Sequence, residues 1–177
     1  MSRAKSDEDE PAPRCSLYLV RHAVAAVRGE KWPDDTKRPL THKGLAKMRL
    51  AIRGLEALDV KPALVLTSPL VRAHQTAELL VDGLDSVPDL EVTDALAPGR
   101  PPSQVAEALG GYTRLREIAL VGHEPGMGEL AAWFIGAREP LTFKKGGACR
   151  IDFASVPPGR NGRLVWFATP RMLRGLG

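Results

Sequence analysis

From Ser16 onward the chain alternates between short apolar runs and longer stretches in which apolar residues recur every three or four positions. "SLYLV" (16–20), "ALVLT" (63–67) and "EIALVG" (117–122) are continuous apolar runs rich in branched side chains, the pattern of strands covered on both faces. Between the first two, Leu45, Met48, Ile52 and Leu55 form one helical stripe behind Thr41, a candidate N-cap. Leu70, Ala73, Ala77 and Leu80 form another, predicted to run from Ser68-Pro69, a cap followed by proline at the first helical position, to about Asp82. A weaker strand "LEVTD" (90–94), a short helix over 103–109 and a helix within "PGMGELAAWFIG" (125–136) follow. "ACRIDF" (148–153) and "RLVWFAT" (163–169), joined by a Pro/Gly-rich turn, read as a hairpin. The alternation predicts an α/β three-layer sandwich: a mostly parallel central sheet flanked by helices, with antiparallel strands at the C-terminal edge.

Residues 1–14, "MSRAKSDEDEPAPR", offer almost nothing to bury and are expected to be a disordered tail. The remainder, 15–177, is long enough for one domain with its own core. Two cysteines, Cys15 and Cys149, stand in no metal-ligand or redox spacing, which fits free thiols in a reducing compartment. With no bilayer-length apolar run and no signal-peptide pattern, the expected location is the cytoplasm, without a membrane partner. Net charge is +4, spread along the chain; the Lys144-Lys145 doublet is the nearest thing to a basic block and reads as a solvated turn, so nucleic acid is not an expected partner.

Chemistry gathers where strands end. The first strand stops at Arg21-His22, "TSPLVR" places Arg72 in the first turn after the second, and "VGHEPG" places His123 directly after the one at 117–122. In a parallel sheet those ends share one edge, where open α/β folds bind ligands. Two guanidinium forks suit phosphate oxygens, and the start of the Arg72 helix adds unpaired N–H groups. A metal is the competing use of two histidines, but Arg21 and Arg72 would repel a cation, and no HxxxH, HExxH or carboxylate cluster supplies further ligands. Beside phosphorus, a neutral imidazole can act as a nucleophile, and neighbouring arginines favour the neutral ring. The other histidine can donate to the phosphoryl oxygens; residue pattern alone does not say which has which role.

"LYLVRHAVAA", "RPLTHKGLAKMR", "LTSPLVRAHQTAELL" and "LVGHEPGMGELAAWF" resemble, in order, the signature segments of the histidine phosphatase superfamily, and most of all its small SixA-type phosphohistidine phosphatases; "FKKGGACRIDF" is similar to that group's C-terminal strand entry. The resemblance covers roughly 16–170. It implies a metal-independent phosphatase with no cofactor, in which His22 is phosphorylated, Arg21 and Arg72 clamp the phosphate, and His123 completes the pocket. It also implies a partner: a phosphorylated protein such as a phosphohistidine carrier or phosphotransfer domain, hence a place in signal transduction, or else a small phosphate ester. Ala23 stands where the family usually has glycine, and would be strained at a positive φ. Arg28 replaces the asparagine common in phosphoglycerate mutases.

Ester cleavage generally calls for an acid at the leaving oxygen. Asp94 is the candidate and Glu124 a second, each with a capping or solvated carboxylate as its alternative role. A phosphohistidine substrate relaxes that need, because its P–N bond is labile. The alternatives to phosphohistidine hydrolysis are a general phosphomonoesterase for small metabolites and, in another class, a non-catalytic phosphate-binding module. His42 and His74 read as surface residues, and Trp133, Phe134, Trp166 and Phe167 as core.

Overall fold

A computed structural model describes residues 14–177, so the expected tail lies outside the described residues except for Arg14, whose N–H donates to Phe153 O at 2.9 Å. Six strands form one sheet: β1 (Cys15–Arg21), β2 (Leu64–Thr67), β3 (Asp89–Val92), β4 (Glu117–Gly122), β5 (Ala148–Phe153) and β6 (Arg163–Ala168). Their order is β3-β2-β4-β1-β5-β6. The first four run parallel, β5 pairs antiparallel with β1, and β6 pairs antiparallel with β5. The fold is the expected α/β sandwich, with the hairpin extending the sheet beyond β1.

Alternation along the strands separates two cores. Tyr18, Val20, Val65, Ala119 and Val121 face α1 (His42–Ala57), α2 (Val71–Gly83) and α5 (Pro170–Leu173). Leu17, Leu19, Leu66, Ile118 and Leu120 face α3 (Pro102–Leu109) and α4 (Gly126–Ile135). Both faces being covered explains why β1, β2 and β4 read as unbroken apolar runs rather than alternating ones. Thr41 caps α1 as expected, its hydroxyl accepting from the Gly44 N–H at 2.9 Å. Gly44 permits a close approach: a side-chain carbon there would run into the Val24 carbonyl, so α1 can start against the chain leaving β1.

One helix start differs from the sequence reading. α2 begins at Val71, with Leu70 at the N-cap position and no side-chain cap. The Ser68 hydroxyl accepts from Leu70 N–H at 3.3 Å and also engages His123, so Ser68 and Pro69 shape the turn ahead of the helix. The short α5 was not foreseen. Trp133, Trp166 and Phe167 are only partly buried, whereas Phe134 is wholly so. Both cysteines are buried free thiols, and burial first of all pushes their pKa up, to about 11 for Cys15 and about 12 for Cys149. Among the described residues no helix is long and apolar enough to cross a membrane.

Candidate active site

The parallel core places β2, β4 and β1 side by side, so their C-terminal ends line one stretch of sheet edge. Arg21 ends β1, and the next peptide continues the ladder: His22 N–H donates to Gly122 O at 3.0 Å, and Ser68 N–H donates to Val121 O at 3.1 Å. Gly146, held at a φ of +80° that favours glycine, donates to both Arg21 O and His22 O at 3.1 Å. Two further bonds tie this exit to α2. Ala23 N–H donates to Thr76 Oγ1 at 3.1 Å, and the Thr76 hydroxyl donates to Arg72 O at 2.7 Å.

These bonds bring all four sequence-predicted pocket residues together. His22 is 6% exposed. Its Nδ1 lies 2.7 Å from Ala23 O, and since a carbonyl can only accept, Nδ1 carries the proton of the neutral ring and Nε2 keeps a lone pair. Arg72 Nε donates toward that Nε2 at 3.3 Å. The His123 ring stands 5.1 Å from the His22 ring, centre to centre, and is equally buried. Its Nε2 is 2.8 Å from Ser68 Oγ. That oxygen already accepts from Leu70, and its hydroxyl proton is bonded to no other acceptor among the described residues, so it goes to Nε2 and leaves the His123 proton on Nδ1. His123 Nδ1 and Arg21 Nε are both buried without a partner among the described residues. Two unsatisfied buried donors beside a lone pair make a cradle for an anion.

Electrostatics keep the imidazoles neutral. Burial lowers the His22 pKa to about 4, with the charges of Arg72, Arg21 and Lys145 adding to it and the Ala23 carbonyl opposing. Burial likewise lowers His123 to about 3, helped by His22 and Arg72. Desolvation also disfavours the charge on Arg72, and the Asp35 carboxylate offsets it.

Asp35 was not singled out in the sequence. It opens a single 3-10 turn (Asp35–Lys37) that lies against Arg72: Arg72 NH2 reaches Asp35 Oδ2 at 3.0 Å and NH1 reaches Asp35 O at 2.7 Å. Arg38 Nε holds the other carboxylate oxygen at 2.8 Å and its NH1 donates to Ala26 O at 2.6 Å, so Arg38 is a strut of this turn. Only the three-residue spacing of Asp35 and Arg38 hinted at this, and nothing local pointed to Arg72. Ser68, read as a cap, and Thr76 were missed for the same reason.

The two candidate acids fare differently. Glu124 is spent on the backbone, accepting from Phe143 N–H at 2.5 Å and Gly128 N–H at 3.0 Å. Phe143 O in turn accepts from Arg21 NH1 at 2.5 Å, so the Glu124 carboxylate holds the peptide that holds Arg21. Asp94 follows β3 in a 3-10 turn, exposed, and its side chain makes no hydrogen bond among the described residues. Its neighbours Ala95 and Leu96 share a small cavity with His123 and Glu124. Ala23 has no positive φ, so its methyl group fits where the family usually has glycine. His42 is exposed and His74 half-buried, the latter 3.4 Å from Glu78.

Known proteins resemble this chain over most of its length. Residues 17–97 match the family model of the histidine phosphatase superfamily (branch 1). The chain is 32% identical over 170 residues to an uncharacterized protein of Picosynechococcus sp. (strain ATCC 27264 / PCC 7002 / PR-6), covering 89% of this chain and 98% of that one. It is 28% identical over 160 residues to the phosphohistidine phosphatase SixA of Escherichia coli (strain K12), covering 89% and 96%. The structure of the protein histidine phosphatase SixA complexed with tungstate superposes with a TM-score of 0.78 at 28% identity, over 88% of this chain and 97% of that one. The chain belongs to the histidine phosphatase superfamily.

Proposed function

We propose that this phosphatase hydrolyses phosphohistidine borne by a protein, through a covalent phosphoryl group on His22 Nε2. The observation that carries the reading is the lone pair of His22 Nε2, fixed by the Nδ1–Ala23 bond and flanked by the buried, unpaired donors Arg21 Nε and His123 Nδ1. In the first step Nε2 attacks phosphorus, the substrate's P–N bond breaks, and the departing imidazole takes up a proton. Water then attacks the His22 phosphoryl group and releases inorganic phosphate, restoring the neutral ring. Arg21, Arg72 and His123 hold the phosphoryl oxygens through both steps, where charge builds in the transition state. Arg21 and Arg72 supply positive charge that a metal would otherwise bring, and a cation placed between them would be repelled, which supports metal independence.

The likeness to SixA supports phosphohistidine as the substrate class. Asp94, free of other bonds, is the candidate acid for an ester leaving group. The test is phosphate release from a phosphohistidine carrier protein, with a chelator present, by wild type, His22→Ala and Asp94→Asn. The expected result is turnover by wild type and Asp94→Asn and none by His22→Ala, with an acid-labile, base-stable label trapped only when His22 is present. Wild type that cleaves phosphate esters but leaves the carrier untouched would instead make this a metabolite phosphatase. Phosphate binding without turnover of either would make it a binding module.

A further inference from the structure

Beside the phosphate pocket, and touching none of its four residues' side chains, three cations border one cavity of about 140 Å³: Lys47 of α1, Lys145 of the turn before β5, and Arg174 just after α5. Ala23, Met48 and Pro170 supply part of the apolar wall. None of the three cations pairs with a carboxylate or donates a side-chain hydrogen bond among the described residues. Like charges gathered without partners repel one another, and a concave wall of low dielectric concentrates their potential. An anion entering the cavity would relieve that repulsion and accept charge-assisted hydrogen bonds.

The cavity is joined to the catalytic pocket by backbone. Ala23, whose carbonyl orients His22, lies in its wall, and so does Gly146, whose N–H bonds to both Arg21 O and His22 O. The charge of Lys145 is felt at His22. The cavity and the catalytic pocket are thus neighbours across the backbone of Ala23 and Gly146.

We propose that the cavity is a second anion subsite, which takes a carboxylate or phosphate carried by the same substrate as the scissile phosphoryl group. The proposal rests on His22 being the phosphorylated residue. On a phosphoprotein the group is an acidic side chain next to the phosphohistidine; on a small metabolite it is a second acid group.

Two phosphohistidine peptides, identical except for glutamate or glutamine beside the modified residue, and phenyl phosphate with its meta-carboxylated analogue distinguish these sources. They are assayed at low salt with wild type and the Lys47→Gln/Arg174→Gln variant. Wild type is expected to show a KM about tenfold lower for the acidic member of a pair, the worth of one charge-assisted hydrogen bond. In the variant the ratio should fall below about threefold while phenyl phosphate kinetics stay unchanged, since binding an uncharged leaving group draws on no charge in the cavity. A preference confined to the esters keeps the subsite and assigns it to metabolites. Wild type inactive on both peptides but selective between the esters retires the phosphohistidine reading and leaves the subsite standing. Equal KM values within both pairs, or a preference that survives the double substitution, overturns it.

Discussion

The bonds of Glu124 make a sharp prediction for Glu124→Gln. The carboxylate accepts from two backbone donors, Phe143 N–H and Gly128 N–H, and both residues are buried. A glutamine amide has one oxygen, so whichever way it turns, one of those N–H groups faces an NH2 group. The variant loses a charge-assisted bond and leaves a buried donor unsatisfied, a cost of about 2 kcal/mol. For a chain of this length that corresponds to a fall in Tm of about 4–8 °C. Because Phe143 O anchors Arg21, the loosened peptide should also lower kcat/KM, by about tenfold. A positioning role lowers it equally for phosphate esters with good and poor leaving groups. Thermal unfolding and a leaving-group series test both halves. An unchanged Tm, with loss confined to poor leaving groups, would show that Glu124 protonates the leaving group and would refute the reasoning.

Further predictions concern the pocket itself. The His22 ring, followed by NMR of its ring carbon-bound proton, should titrate near 4, and a midpoint near 6.5 would contradict its burial. Since the folded pKa lies below the unfolded value, the unfolded chain takes up the proton first. Stability is then full above about pH 6.5 and lost as pH falls toward 4, which urea unfolding at pH 7 and 4.5 would measure. Arg72→Lys keeps the charge but loses the planar fork that reaches His22 and Asp35 at once, so kcat/KM should fall about 10- to 100-fold, read from steady-state rates. Asp35→Asn keeps the backbone bond to Arg72 while removing a negative charge beside the phosphate, so inorganic phosphate should inhibit several-fold more strongly in a competition assay. Ala23→Gly should lower stability by about 0.5–1 kcal/mol in urea unfolding and leave kcat/KM within about twofold, because the alanine is under no backbone strain.

Much of the site was legible because of what strands and helices repeat. Apolar runs located β1, β2 and β4, and a parallel sheet brings their C-terminal ends together, so Arg21, His22, Arg72 and His123 could be grouped without knowing any distance. The start of α2 was misplaced by a few residues, because Ser68 looked like an ordinary cap while its hydroxyl is shared with His123, remote in sequence. Asp94 and Glu124 looked alike as carboxylates near the pocket. Only their bonding separates them, one held by two peptide N–H groups and the other free.

The sequence by itself determined which segments are buried on both faces and which chemical groups stand at their ends, since burial pattern and chain order are local properties. Tertiary structure alone decided that Asp35 lies on Arg72, that Ser68 sets the proton of His123, that Glu124 steadies Arg21 through Phe143, and that Lys47, Lys145 and Arg174 surround one cavity. Those relations depend on how helices and turns pack against the sheet. Hydrogen bonds form or fail within a few tenths of an ångström, a precision that no periodicity along a chain encodes.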